Sequence, residues 1–264
     1  MIHSPILLVR RQSALKPRSS RATTLALALA LWSVAIDYIS ATAQESNTLT
    51  KRSETRTAES GFNPLLAKDN LDGWIPRGGT SQFRLQKGML VGTCVEGSPS
   101  TYLCTKSVYK DFVLELEFFA DSSMNSGVQV RTQVAEKDTE YLKPNGKKRT
   151  LRKGAVYGYQ VEIDPTNRRW SGGIYDQSRR GWLQSLEANP KAQQAYQMET
   201  WNHLRIRCQG NRIQTWLNEV PAADMRDEVD SQGVIGLQIH GAGRHKDRIG
   251  AQAKFRNIRL KKLK

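Results

Sequence analysis

The feature that most constrains the fold of this chain is a repeated alternation of apolar and polar residues with a period of two. It recurs in short segments separated by glycine-containing turns, which is typical of β-strands that bury one face. The stretches 83–93 and 203–218 each alternate on both sides of a turn, at Gly88 and at Gly210-Asn211, and therefore predict two hairpins. Further strand-like segments are 111–120, 126–134, 159–164, 233–241 and 253–263.

Helix-like sequence is confined to two segments, one near 63–68 and ANPKAQQAYQ at 188–197. Many short strands with few helices predict an all-β domain, folded as a two-sheet antiparallel jelly-roll sandwich. The chain shows no internal repeat. A long polar segment at 136–156 lies between two predicted strands, and insertions of this length are often functional loops.

The beginning of the chain has the pattern of a secretory signal peptide. Five basic residues precede the apolar run 22–36, and an A-x-A pattern ends at Ala43. The alternative is a membrane anchor, but the run is shorter than the roughly 20 apolar residues that a spanning helix needs, and Asp37 ends it. We therefore predict an exported protein, periplasmic or extracellular, without stable membrane insertion after cleavage. Its predicted parts are a signal peptide (1–43), a flexible polar linker (44–61) and one folded domain (62–264).

The charge of the chain bears on its partners, and its cysteines bear on disulfide bonding. The net charge is +15, but the basic residues are spread along the chain without an aromatic-interleaved stripe, so we predict no nucleic-acid binding. The three cysteines are Cys94, Cys104 and Cys208. In an oxidising compartment Cys94 and Cys104 can bridge neighbouring strands, although three buried thiols are the simpler interpretation.

The polar positions of the predicted strands carry side chains that suit sugar hydroxyls. Carboxylates, amides and arginine supply paired acceptors and donors, and aromatic rings pack on sugar faces. Any solvent-exposed sheet face also alternates in this way, so a sugar site requires that neighbouring strands bring these residues together on one concave sheet. The polar candidates are Glu115, Glu117, Gln129, Arg131, Gln160, Glu162, Asp164, Gln238 and His240, and the aromatic ones are Tyr157, Tyr159, Trp170, Tyr175 and Trp182.

An ordered set of motifs over the predicted domain resembles the 3-keto-disaccharide hydrolase family. It includes NPLLAKDNLDGW (63–74), GMLVG (88–92), NSGVQVR (125–131), GYQVEID (158–164) and GLQIHG (236–241). The resemblance implies a concanavalin- or laminin-G-like jelly roll and action on 3-keto sugars. At the positions of Gln160 and Glu162 of this chain, many family members have Glu and Gln, respectively. The role of a family glutamate therefore either moves to Glu162 or is lost.

The chemistry of a 3-keto-glycoside indicates which groups an enzyme needs. The ketone acidifies the hydrogen on carbon 2, a base removes it, the enolate expels the glycosidic oxygen, and water then adds. A base, an acid and a donor to the enolate oxygen are required. We predict Glu162 and His240 as base or acid and Arg131 as the enolate stabiliser. A divalent cation bound by Asp164, Glu162 and His240 is the alternative electrophile, and the sequence demands no other cofactor. The predicted sugar contacts are Asn125, Gln129, Tyr159, Gln160, Trp182 and Gln238.

Three functions remain open at this stage: two take a small carbohydrate as the partner, and the third, which the residues support least, is polyanion binding through the net charge. Of the two carbohydrate functions, one is an exported enzyme that cleaves 3-keto-glycosides, which the clustered ionisable residues favour. The other is a non-catalytic carbohydrate-binding module of the same fold, which the exchange of Glu and Gln favours. Because one fold hosts many functions, the predicted jelly roll supports both equally.

Overall fold

Two antiparallel sheets packed face to face form the body of the fold, as the alternation predicts. The computed structural model describes residues 61–67, 69–143 and 145–264. The predicted signal peptide at 1–43 and all of the predicted linker except residue 61 lie outside the described residues. Within the described part, no helix has the length and apolar character that crossing a membrane requires.

The strands of the two sheets follow each other along the chain with short connections. In chain order they are β1 (Asn63–Pro64), β2 (Trp74–Gly78), β3 (Gln82–Gln86), β4 (Met89–Thr93), β5 (Thr101–Thr105), β6 (Phe112–Ala120), β7 (Ser126–Val134), β8 (Thr139–Leu142), β9 (Lys148–Leu151), β10 (Val156–Ile163), β11 (Ile174–Gln177), β12 (Gly181–Gln184), β13 (Asn202–Gln209), β14 (Arg212–Leu217), β15 (Val220–Arg226), β16 (Val234–Ile239) and β17 (Gln252–Lys262). Sheet A has the order β15-β14-β13-β6-β17-β4-β3, with β1 paired to β17. Sheet B has the order β12-β11-β10-β7-β16-β5-β2, and β8 and β9 form a separate hairpin.

The core lies between the two sheets and is filled by alternate residues of their central strands. Leu114 and Leu116 of β6 face Val128 and Val161 from β7 and β10 in one buried apolar cluster. Each such side chain stabilises the fold by roughly 1.5–3 kcal/mol when fully removed from water. The intervening residues of each strand therefore lie on the two outer faces of the sandwich.

The predicted local elements are confirmed with one exception. The hairpins form around Gly88 and around Gly210-Asn211. The second predicted helix forms as α1 (Pro190–Ala195), capped by the side chain of Asn189. The helix predicted near 63–68 is wrong, because Asn63–Pro64 pairs with β17 and the Leu65 amide donates to the carbonyl of Ile258. A segment this short is too weak as a helix to compete with sheet pairing.

All three cysteines are buried and free. Cys94 belongs to the core cluster between the sheets, whereas Cys104 belongs to a small apolar cluster with Tyr102 and Val156. Tyr102 and Cys104 alternate with the core residue Leu103 on β5, so they lie on the outer face of sheet B. The body of sheet B therefore separates the Cys94 and Cys104 thiols, and this is why the two do not form a bridge.

Candidate functional site

The outer face of sheet B, which we call the polar face, brings most of the predicted polar residues together. Register places Glu162 opposite Gly127, and Gly127 opposite Gln238, which in turn pairs with Tyr102. The adjacent row runs from Trp182 through Tyr175, Gln160, Gln129 and Gly236 to Cys104. Because directly opposed residues of antiparallel strands point to the same side, these two rows form one surface.

Gly127 leaves the space in which a side chain of the adjacent row lies. A Cβ atom at this position would lie 2.6 Å from both Cγ and Cδ of Gln160, so no larger residue fits without moving that side chain. Gln160 lies over β7 in the space that the glycine leaves. The glycine of NSGVQVR is thus required by the close approach of a neighbouring polar side chain.

Glu162 is the centre of the polar face. Its side chain is buried, and the residue is only 5% exposed. One carboxylate oxygen accepts a hydrogen bond of 2.6 Å from Asn125 Nδ2, and the other accepts one of 2.7 Å from Gln160 Nε2. Both donors are neutral amides, so the carboxylate is oriented without being neutralised.

The amides behind Glu162 form a short relay. Gln129 Nε2 donates to Gln160 Oε1 at 2.6 Å, and Gln160 then donates to Glu162. Both glutamines are almost fully buried, where an unsatisfied polar group would be costly. Because each amide has a donor and an acceptor end, the relay holds Glu162 in one orientation with its polar atoms satisfied.

The environment of Glu162 raises its pKa from 4.5 to about 7. Burial is the main cause, because it penalises the charged form, and the Asp164 carboxylate adds a smaller increase. The amides of Asn125 and Gln160, and the Arg168 guanidinium, act in the opposite direction. The result is a carboxyl that exchanges its proton near neutral pH, as a general acid or base does.

The loop after β10 delivers a cation to this carboxyl. Asp164, fully buried, accepts hydrogen bonds from the Thr166 amide and hydroxyl, the Trp170 amide and Arg168 Nε, the last at 2.7 Å. This network folds the loop back so that Arg168 Nη2 lies 3.9 Å from Glu162 Oε1. The Arg168 side chain remains 42% exposed, so it can also contact a ligand.

Three aromatic rings form a shelf beside Arg168. Trp182 makes edge-to-face contacts with Trp170 and Tyr175, with ring centroids 4.9 and 5.3 Å apart. The Arg168 guanidinium lies over both tryptophans, 4.6 Å from the centroid of Trp170 and 5.2 Å from that of Trp182. We call Trp170, Tyr175 and Trp182 the aromatic shelf. Such half-exposed rings provide flat apolar faces on which sugar rings can pack.

The β8–β9 hairpin, formed by the polar insertion, passes over the polar face. Burial raises the pKa of Tyr102 to about 12, and Arg149 of β9 lies close enough to oppose this rise. Arg149 also lines a cavity together with Tyr175. Because Tyr102 and Tyr175 stand on opposite sides of β7 and β10, the position of Arg149 near both places the hairpin over the central strands.

Arg131 does not lie on the polar face, which corrects the sequence prediction. β7 carries an extra residue at this point relative to both neighbours, and Arg131 adopts a φ of 49° in the resulting bulge. Its side chain is 0% exposed and turns toward sheet A, where it donates to the carbonyls of Lys110 and Gly210 and to Asp111 at 2.7 to 2.8 Å. Arg131 therefore ties the sheets together and cannot reach an enolate at Glu162.

Tyr159 is the second predicted contact that the structure places elsewhere. Its ring is 0% exposed and belongs to the core cluster. Its hydroxyl donates to Asp227 and accepts from the Asp230 amide. Glu115 and Glu117 are also separate from the site, because they lie on β6 of sheet A and pair with Arg259 and Arg256.

Gln238 and His240 mark the far side of the site. Gln238 is fully buried and donates to the Tyr102 hydroxyl at 3.1 Å, and its Oε1 atom has no hydrogen-bond partner among the described residues. His240 follows β16, one position beyond the pairing of Ile239 with Ser126, which places it across from Asn125. Burial lowers its pKa, so the imidazole is neutral at neutral pH. Its Nδ1 atom lies 2.8 Å from the Gly241 carbonyl oxygen and 3.1 Å from Arg248 Nη1.

The three predicted cation ligands do not form a metal site. Among the described residues, no group of three or more histidine, cysteine, aspartate or glutamate side chains is arranged to hold a metal ion. The oxygens of Asp164 already accept four hydrogen bonds, and His240 Nδ1 contacts Gly241 and Arg248. Arg168 instead is the cation beside Glu162.

Arg168 is the functional candidate that sequence reasoning missed. It lies in a loop, outside the strand alternation on which the polar candidates were chosen. A signal was available in DPTNRRW (164–170), where an aspartate, a proline and an asparagine after a strand indicate a tight turn. A tight turn there returns the following arginine and tryptophan to the end of β10, where Glu162 lies.

Several solved structures are similar to this chain, and the first of those that follow supports the fold. The chain is similar to a candidate glycosyl hydrolase from Parabacteroides distasonis, with 15% identity, a TM-score of 0.51, and coverage of 80% of this chain and 97% of that one. A second candidate glycosyl hydrolase from the same organism has 22% identity and a TM-score of 0.46, over 76% and 99% of the two chains. A carbohydrate-binding module from Bacillus subtilis has 15% identity and a TM-score of 0.47, over 73% and 98%.

Comparison with curated sequences and with family profiles gives contrasting results. No curated protein matches the chain significantly. The profile of the 3-keto-alpha-glucoside-1,2-lyase-like domain, however, matches residues 59–261, which include both strands that carry Gln129, Gln160 and Glu162. This match confirms the resemblance seen in the ordered motifs and connects the protein with carbohydrate chemistry. The chain belongs to the family of 3-keto-alpha-glucoside-1,2-lyase-like domains.

Proposed function

We propose that this protein is an exported enzyme that cleaves 3-keto-glycosides, with Glu162 as the base that removes the proton from carbon 2. The observation that carries the proposal is a buried carboxyl with a pKa of about 7 beside a partly exposed arginine and the aromatic shelf. A base with a pKa near the working pH is ionised often enough to act and still binds a proton well. Family membership supports the substrate class.

The first step breaks the bond between carbon 2 and its hydrogen. The proton passes to the carboxylate of Glu162, and the electron pair forms an enolate with negative charge on the oxygen of carbon 3. Arg168 supports this step, because its guanidinium lies 3.9 Å from Glu162 and retains exposed donors. A cation held at the oxygen where charge develops stabilises the transition state more than the ground state.

The second step breaks the glycosidic bond. The enolate restores the ketone, a double bond forms between carbons 1 and 2, and the glycosidic oxygen leaves with the proton that Glu162 had taken. Water then adds across the double bond to give the free 3-keto sugar. The scheme gives His240 no acid role, because its lowered pKa leaves the ring without a second proton at neutral pH, and it assigns the base role to Glu162, which lies beside Arg168 and the aromatic shelf.

The sugar itself would lie between the aromatic shelf and the amides. Trp182 and Trp170 offer ring faces, and Asn125, which is partly exposed and donates to Glu162, offers a polar group beside the carboxyl. The same features would serve a carbohydrate-binding module without catalysis. The raised pKa of Glu162 favours the enzyme, because binding alone does not require a titrating carboxyl.

The test is turnover of a 3-keto-disaccharide, followed as release of the free sugar with and without EDTA. We expect release that persists in EDTA, is lost in Glu162→Gln and is retained in Glu187→Gln, which changes an exposed glutamate of the same charge. Release that requires a divalent ion would replace Arg168 by a cation as the electrophile. Saturable binding without release would establish the binding module. The absence of both binding and release would contradict both proposals.

A further inference from the structure

A cavity of about 200 Å³ lies beside the aromatic shelf, between the tip of the β8–β9 hairpin and the turn that joins β11 to β12. Its lining includes Tyr175 of the shelf and four cationic side chains, Lys143, Arg149, Arg179 and Arg180. No acidic side chain is among the described residues that line it. A cavity with cationic side chains on two facing elements and no acidic side chain in its lining attracts anions.

The two arginines on the β11–β12 side are held in place from behind. Both bind Asp176, Arg179 also binds Asp230, and Arg180 also binds Asp227, at 2.7 Å for its Nη1 atom. These carboxylates are mostly buried outside the cavity lining, and they accept from most of the donor atoms of both guanidinium groups, so Arg179 and Arg180 form a fixed wall of the cavity. Side chains that are already fixed lose little freedom when a ligand contacts them.

The hairpin side supplies the positive charge that is not balanced. The three aspartates more than balance the two charges of Arg179 and Arg180, whereas neither Lys143 nor Arg149 forms a salt bridge with any residue that the structure describes. Two other cations of the hairpin, Lys148 and Arg152, already pair with Glu140 and Asp138. Lys143 and Arg149 are therefore the cations that a ligand can use.

The cavity adjoins the candidate catalytic centre through one residue. Tyr175 lines the cavity and pairs with Gln160, which donates directly to Glu162. Neighbouring strands lie about 4.8 Å apart and residues two apart on a strand about 6.6 Å, so Tyr175 stands roughly 8 Å from Glu162 at the backbone. A glycoside whose reacting ring lies at Glu162 can extend over Tyr175 into the cavity.

We infer that this cavity binds an anionic group, a carboxylate or a sulfate, on the part of the glycoside next to the reacting sugar. The inference rests on the proposed function, because it takes Glu162 as the position of the reacting ring. Acidic 3-keto-glycosides would then be the preferred substrates. The guanidinium fork of Arg149 suits the paired oxygens of either anion.

Two experiments test this site separately from the chemistry. The first compares kcat/KM for a 3-keto-glucoside linked to glucose with one linked to glucuronic acid and one linked to glucose 6-sulfate. The second measures binding of free glucuronate, glucose 6-sulfate and glucose by calorimetry. The variant is Lys143→Ala with Arg149→Ala, and the matched control is Lys147→Ala with Lys153→Ala, which removes two exposed cations of the same hairpin outside the cavity lining.

We expect an acidic ligand to be preferred about tenfold or more over the neutral one, since hydrogen bonds to charged groups are among the stronger ones. The preference should disappear in the cavity variant and remain in the control, with kcat/KM for the neutral substrate unchanged. Equal use of neutral and acidic substrates, or equal losses in both variants, would overturn the inference while the proposed function stands. Selective binding of glucuronate without turnover of any substrate would refute the enzyme and retain the anion site.

Discussion

Replacing Glu162 by glutamine should make the stability of the protein less sensitive to pH. In the unfolded chain this carboxyl has its ordinary pKa of 4.5, whereas burial raises the native value to about 7. Between these pH values the native protein holds a proton that the unfolded chain releases, so stability falls as the pH rises. The raised pKa of Glu162 contributes its full stabilisation to the native protein below pH 4.5, and this stabilisation is lost above pH 7.

The magnitude follows from the separation of the two pKa values. They differ by about 2.5, and each pKa unit corresponds to 1.36 kcal/mol, so the wild type should lose about 3 kcal/mol relative to Glu162→Gln between acid and pH 8. Rearrangement of the amides of Asn125, Gln160 and Gln129 in the variant adds an offset that does not depend on pH. The pH-dependent difference therefore isolates the carboxyl.

The assay is urea unfolding followed by tryptophan fluorescence at several values between pH 4 and pH 8.5. Glu187→Gln serves as the control, because Glu187 is exposed and its replacement should leave the pH profile of the wild type unchanged. His240 titrates in all three proteins, so its contribution cancels in the comparison. Parallel profiles for the wild type and Glu162→Gln would refute the raised pKa, and with it the choice of Glu162 as the base.

Three further results are expected. Arg131→Ala should destabilise the protein by about 3–5 kcal/mol in urea unfolding, because Asp111 and two carbonyls lose a buried partner. A stable but inactive variant would contradict this structural role of Arg131. Arg168→Ala should fold normally, since the side chain is 42% exposed, and lose about 10²–10³-fold in kcat, whereas an unchanged kcat would exclude it as the enolate stabiliser. A thiol reagent should leave the native protein unlabelled and modify three cysteines after unfolding, because burial raises the thiol pKa values, and one modified cysteine would instead indicate a bridge.

The sequence was sufficient for the elements that depend on local periodicity. Alternating apolar residues predicted the strands that carry Leu114, Val128 and Val161, and the glycine-containing turns predicted both hairpins. The motifs around Gln129 and Glu162 also indicated the family, because they keep their order along the chain. These features are local, so they can be predicted without knowing which strands become neighbours.

Periodicity also separated the two faces of each strand but left open which sheet each strand joins. Glu115 and Glu162 occupy equivalent polar positions in their own strands, yet one lies on the outer face of sheet A and the other on that of sheet B. The order of strands depends on pairings between residues far apart in the chain. No local pattern contains that information.

Tertiary structure alone decided the composition of the site. A one-residue bulge in β7 turns Arg131 from the expected outer face toward sheet A, because a single extra residue reverses the alternation. Arg168 reaches Glu162 only because the buried Asp164 folds the following loop back over the end of β10. The sequence by itself thus indicated the strands with clear alternation and the family, and it named Glu162 among the candidate site residues. Packing and hydrogen bonding between distant segments decided which cation lies beside Glu162, because local alternation carries no information about such contacts.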